Sequence, residues 1–241
     1  MKNNTILVFL LLIAGFRLSA QDSKFRLGIR FAPNIALTRV LDVKEDDKIS
    51  FESNGVGVRF SAGLTGDFYF GKNYSFYTGI WYTTQRAGVK FTTESPTISG
   101  QSIHNLQYVQ VPIALKLFTN EIATDTKLYF VLGGTLGVKI NEKEKEWKLD
   151  VGNSGLTAED LIFSKPGINN SYSNFDAGLL LGAGAEMQMG ENTTLFGGLS
   201  YNRGLVNIQS NKGPFNDPNK KASDFYKVNT GIISLEVGVK F

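Results

Sequence analysis

The closing stretch of the chain, Gly231-Ile232-Ile233-Ser234-Leu235-Glu236-Val237-Gly238-Val239-Lys240-Phe241, alternates residue by residue and stops on an aromatic carboxyl terminus. Ile233, Leu235, Val237, Val239 and Phe241 take one phase, and Ser234, Glu236, Gly238 and Lys240 take the other. Successive side chains of a strand point to opposite faces, so one face here is apolar and uncharged. In water, an open sheet would expose that apolar row at its edge. A closed barrel whose apolar face meets lipid has no such difficulty, because closure pairs every backbone group. The stretch predicts a membrane architecture and names no activity.

The pattern recurs upstream. Strands are expected near Phe25–Ile35, Val56–Phe70, Tyr74–Phe91, Leu106–Phe118, Thr126–Ile140, Phe175–Met189, Thr193–Ile208 and Gly231–Phe241. In the first, Phe25, Leu27, Ile29 and Phe31 alternate with Arg26, Gly28, Arg30 and Ala32; in the fourth, Val109, Val111, Ile113, Leu115 and Leu117 alternate with Gln110, Pro112, Ala114 and Lys116. The third segment changes phase near Gln85–Arg86 and the seventh loses alternation after Tyr201, so bulges are expected there. Pro112 lacks an N–H and should mark a bulge or a missing ladder bond.

Connections alternate in length. Gly71–Asn73, Asn120–Asp125 and Gly190–Asn192 are brief and rich in turn formers, whereas Val40–Asn54, Thr92–Asn105, Asn141–Asn174 and Gln209–Asn229 are long and polar. Short periplasmic turns and long extracellular loops are the arrangement of outer-membrane barrels. Phe25, Phe68, Phe70, Phe76, Phe130 and Phe241 cluster at one expected rim and Tyr82, Phe175 and Tyr201 at the other, as two interfacial girdles would require. A soluble lipocalin-like barrel is the competing fold; it would be apolar inside and polar outside.

The amino end reads as an export signal: Lys2, an apolar run from Ile6 to Ile13, then Leu18-Ser19-Ala20, with cleavage expected after Ala20. Residues 1–20 are thus assigned to a signal peptide and 21–241 to the barrel domain. The 25 basic and 22 acidic residues include Lys2 and Arg17; without those two the balance is 23 to 22, which offers nothing to nucleic acid. The chain has no cysteine, so disulfides and thiolate chemistry are excluded.

The polar phase, taken as inward, carries Arg26, Arg30, Arg59, Lys116, Lys139 and Lys240 together with Asp67, Asp176, Glu186 and Glu236. An eight-stranded barrel is just wide enough for side chains to fill, and buried charges at such distances must pair. A polar plug is therefore expected, with a narrow cation-lined anion path as the alternative. On closure, Glu236 and Arg30 come to similar heights and should meet.

Chemistry is thinly represented. The only histidine, His104, falls in or beside an expected loop, and Ser99 and Ser102 are its nearest serines. A Ser–His hydrolase also needs an orienting carboxylate and an oxyanion site, so an exposed loop histidine is the plainer reading. Glu45-Asp46-Asp47 and Asn141–Glu146 lack calcium-loop spacing, and Gly182-Ala183-Gly184 lacks the third glycine and helix of a dinucleotide site. No cofactor, metal or catalytic residue is assigned. Within Asn141–Asn174, Trp147–Val151 and Leu161–Phe163 could form a hairpin extending the wall outside the membrane.

The segment Tyr108-Val109-Gln110-Val111-Pro112-Ile113-Ala114-Leu115-Lys116 resembles the fourth strand of the PorT-like outer-membrane β-barrel family of Bacteroidota. Gln21 after the expected cut, Thr78-Gly79-Ile80 and the glycine-rich fifth and sixth strands are similar too. The resemblance spans the mature chain and implies outer-membrane residence and a link to protein secretion. It also implies that Phe241 closes a carboxyl-terminal strand read by the barrel assembly machinery.

The resulting expectation is an all-β, eight-stranded antiparallel up-and-down transmembrane β-barrel in the outer membrane. It would be monomeric and non-enzymatic, structural or secretion-associated, with lipid and other envelope proteins as partners. The alternatives are an outer-membrane lipid hydrolase or protease and a narrow anion-conducting pore.

Overall fold

The computed structural model describes residues 24–42, 49–94, 97–152, 171–210 and 226–241. The expected signal peptide and Leu161–Phe163 lie outside them. Among the described residues nine strands follow one another: β1 (Phe25–Asp42), β2 (Ile49–Ser53), β3 (Val56–Gly71), β4 (Tyr74–Glu94), β5 (Thr97–Ala123), β6 (Thr126–Asp150), β7 (Phe175–Gln188), β8 (Thr194–Gly204) and β9 (Tyr226–Lys240). Each pairs antiparallel with its neighbours, and the β1–β9 and β4–β5 ladders close the sheet into a ring. Strands β2 and β3 both pair with β4, β2 against Val89–Thr93 and β3 below it. They form one stave broken at Asn54-Gly55, where Gly55 takes φ +64°. The ring therefore has the eight staves expected from the sequence.

The wall is apolar outside and polar inside. Ile29, Val58 and Leu235 are 58%, 78% and 53% exposed, whereas Arg30 and Lys116 are each 2% exposed and Lys240 is 0%. This is the inverse of a soluble barrel, and water could not solvate such a belt without promoting association. From Leu27 to Leu37 the outward row of β1 covers about 33 Å of strand, or about 24 Å of height at a 40–45° tilt, the thickness of a bilayer's apolar band. Aromatic rings gather at two levels of the wall. Phe25 packs on Phe68 at 4.4 Å and Phe70 on Tyr74 at 6.1 Å at the turn end; Phe31, Phe60 and Tyr82 form a chain at 6.4 and 5.9 Å farther up.

Two expected loops are strand instead. Thr92–Asn105 belongs to the β4–β5 hairpin, whose ladder runs up to Glu94↔Thr97. β6 continues through the supposed acidic loop to Asp150, and Trp147 pairs with Ser102 of β5. β5, at 27 residues, runs about 60 Å in height at the same tilt, so β4–β6 stand well clear of the bilayer. This segment was unreadable by alternation because β6 slips twice against β5, between Gln107/Tyr108 and between Ile103/His104. Each slip flips the faces that follow. Glu142 is thereby turned inward, and Trp147 and Leu149 pack against the interior cluster.

The expected bulge at Gln85–Arg86 is absent from β4, which stays in register with β5 there. The irregularity lies opposite, where seven residues (54–60) face five of β4 (84–88) between Ser53↔Val89 and Ser61↔Thr83. Thr84 Oγ1 bonds both the N–H and the C=O of Phe60, and Arg86 donates to Val56 O, so polar side chains fill the opening. Past Tyr201, β8 simply ends at Gly204. Pro112 interrupts the ladder without a bulge: pairing with β4 runs to Thr78↔Ile113 and resumes at Trp81↔Gln110 in unchanged register. Pro33 does the same at the β1–β9 seam, between Phe31↔Val237 and Asn34↔Ser234.

Candidate functional site

The barrel interior holds the densest chemistry. Near the turn end, Asp67 on β3, Lys116 on β5, Glu186 on β7 and Lys240 on β9 converge from four staves. The Lys240 ammonium pairs with both Asp67 and Glu186; Lys116 pairs with Glu186 and lies 4.0 Å from Asp67. Two cations against two anions make the cluster neutral, which burial demands. Aromatic rings close round it: Lys116 Nζ lies 3.9 Å from the Tyr129 centroid and 5.5 Å from that of Phe196. Ser75 donates to Asp67 at 3.1 Å.

One step up, Arg30 donates to Glu236 at 2.7 Å and to Ser61 at 2.8 Å, and stacks on Trp81 at 4.1 Å. Glu236 also accepts from Ser200. Asp176 accepts from Gln85 at 3.1 Å. Arg26 at the lower mouth donates to Thr194 at 2.9 Å, and Arg59 at the upper rim donates to Asn105 and its neighbour's carbonyl. Neither has a carboxylate partner among the described residues, and both are part-exposed.

Above the lipid-facing band the interior changes character. Phe51, Phe91, Leu106, Tyr108, Tyr172, Tyr226 and Val228 form an apolar core that caps the lumen. His104 lies against this cap, buried at 2% exposure rather than on a loop, edge-on to Tyr172 at 5.2 Å. Its Nδ1 is 3.1 Å from Ser102 Oγ and its Nε2 is 3.9 Å from Glu142. Burial pushes the imidazole below the ordinary histidine value, with the Glu142 carboxylate opposing. Glu142, however, is held at 2.5 Å by Lys139 and accepts from the Ser171 N–H at 3.2 Å.

The adjoining cavity measures about 20 Å³, room for roughly one water and not for an acyl group. Serine, histidine and glutamate thus come together here without space for a substrate. Sequence alone did not reveal Glu142, because the β6 slips hide its face. Nor did it reveal Trp81, Tyr77, Tyr129 and Phe196 as interior rings. The signal was available in part: Tyr77 and Phe196 lie between outward-facing neighbours. Among the described residues no group of three His, Asp or Glu side chains is arranged to hold a metal ion.

Residues 19–240 match the family model described as Outer membrane protein beta-barrel domain. Among solved structures, the chain is similar to the outer membrane protease OmpT from Escherichia coli, with TM-score 0.53 and 9% identity over 90% of this chain and 96% of that one. It is also similar to the outer membrane protein OprG from Pseudomonas aeruginosa, with TM-score 0.51 and 14% identity over 89% and 95%. At these identities the likeness is one of fold. None of the curated proteins matches.

Proposed function

From the premise that the chain belongs to the outer membrane protein beta-barrel domain family, we propose that it is a non-conducting, non-enzymatic outer-membrane barrel presenting an extracellular wall to other envelope proteins. The observation carrying this reading is the double obstruction of the lumen. The Asp67–Lys116–Glu186–Lys240 cluster lies at one level and the apolar cap at another. An ion would have to displace interlocked charges and then cross a desolvated layer. The tall β4–β6 wall is the surface that such a barrel offers outside the membrane. Residues 1–20 serve, in this reading, as the export signal, and Phe241 as the assembly mark. The finer PorT-like, secretion-associated assignment is supported by the Tyr108–Lys116 segment, whose Tyr108 is buried within the cap.

Conductance in planar bilayers tests the proposal. Purified protein should give no discrete steps under applied voltage, and removing one cation and one anion of the lower cluster with Lys116→Met and Glu186→Leu should not open a path while the cap persists. Reproducible anion-selective steps from the unaltered protein would overturn it in favour of a pore. Hydrolysis of phospholipid or peptide that disappears in His104→Ala would overturn the non-enzymatic part.

A further inference from the structure

On the outside of the barrel, where β8, β9 and β1 run side by side, lies a groove of about 830 Å³. Its floor is made by a missing side chain. Gly231, itself buried, stands in the outward phase of β9 opposite Leu37 and Arg203, and a Cβ there would meet Leu37 at 3.6 Å and Tyr201 at 3.8 Å, ordinary contacts. The upper lip is the segment after β8, tied down by Asn229 to Val206 O at 2.8 Å and by the Val228 N–H to Asn207 at 2.8 Å. Two side-chain-to-backbone bonds therefore hold this lip against β9.

Its charge is one-sided. Arg203 lies in the row of Gly231, Arg39 in the row of Asn229, and Lys227 in the row of Leu41, so the cations rise in steps of about 7 Å along the wall. No acidic residue lines the groove, and none of the three cations has a carboxylate partner among the described residues. Two exposed lysines on other strands are paired instead, Lys148 2.6 Å from Glu146 and Lys127 3.8 Å from Glu121. Below the cations the lining turns apolar, with Leu37, Leu179 and Tyr201 continuing the lipid-facing belt. An apolar lower half and a polycationic upper half, at the border of the membrane band, match a lipid headgroup bearing more than one phosphate.

We propose that this groove binds a multiply phosphorylated lipid of the outer leaflet, its phosphates on Arg39, Arg203 and Lys227 and an acyl chain over Gly231. The assignment to the outer leaflet rests on the orientation adopted above, with the short turns in the periplasm. Binding in a micelle does not depend on that orientation.

Native mass spectrometry of the full chain in non-ionic detergent, titrated with a bis-phosphorylated acylated diglucosamine, tests the groove. One lipid should be retained. The combined Arg39→Gln, Arg203→Gln and Lys227→Gln variant should bind on the order of a hundredfold more weakly, at about fivefold per cation. Gly231→Leu, which keeps every charge and fills the floor, should also lose binding, while Lys143→Gln with Lys145→Gln on the exposed β6 wall should not. Heat-modifiable migration confirms that each variant is folded. Unchanged affinity in the triple variant, or an equal loss in the Lys143/Lys145 control, would overturn the site. Displacement of the lipid by millimolar inorganic phosphate would show a free-anion site and overturn the lipid assignment. Labelling a Lys143→Cys variant on intact cells with an impermeant reagent tests the orientation separately.

Discussion

Replacing Glu236 by leucine leaves the Arg30 guanidinium inside the barrel with one neutral hydrogen bond, to Ser61, and the Trp81 face. Arg30 is 2% exposed, so it cannot recover the lost partner from bulk water. Breaking a buried pair from one side costs about 3–5 kcal/mol, most of it the uncompensated charge. Arg30→Met does the converse, leaving the Glu236 carboxylate with Ser200 alone, and also forfeits roughly 0.5–2 kcal/mol of stacking on Trp81. The double variant Arg30→Met with Glu236→Leu removes both charges and should lie within about 2 kcal/mol of the parent. The cycle then yields a coupling of at least about 3 kcal/mol. Urea unfolding of barrel refolded into lipid vesicles measures it, with tryptophan fluorescence and gel migration as coincident probes. Single variants each costing under about 1 kcal/mol would refute the reasoning, because they would mean that water reaches and solvates the pair.

Burial keeps His104 neutral in the folded cap. As pH falls below about 6.5 the unfolded chain binds the proton first, so stability declines from there down to the depressed folded-state value and is level below it. His104→Gln should remove that part of the slope, and urea midpoints at pH 7.5, 6.5 and 5.5 check it; an identical slope would sink the assignment. Gly63→Ala should cost several kcal/mol or abolish folding, since its Cβ would lie 2.2 Å from Ile80 O and 2.7 Å from Trp81 Cα. Gly190→Ala meets nothing within 4 Å and should be neutral in the same refolding assay. Deleting Phe241 removes a bond from its N–H to Leu27 O at 2.8 Å and an exposed ring at the turn-end girdle. Heat-modifiable barrel in the outer membrane should fall, and an unchanged amount would contradict the assembly role.

Alternation made the lipid-facing half of each stave legible, because a belt in contact with hydrocarbon tolerates no charge on the outward phase. Arg30 and Glu236 could be placed at one height because both lie a few residues from the strand ends that meet at the seam. Above the membrane that constraint disappears: both faces of β4–β6 may be polar, and Lys143 and Glu142 differ in burial for reasons of register alone. The acidic run in β6 therefore looked like a solvated loop. His104 followed it into the wrong class, since a histidine's burial depends on what packs over it. Here that cover includes Tyr172, well over half a hundred residues away in sequence.

The interruption at Pro33 has a bearing on how the ring completes itself. β1 and β9 are the first and last strands among the described residues, and their backbone ladder skips Ala32 and Pro33. The Arg30–Glu236 contact, between residues 206 apart in sequence, bridges the seam beside that gap. Neither side chain can find the other until the two strands meet. Zipping the final seam and pairing these two interior charges are consequently one event.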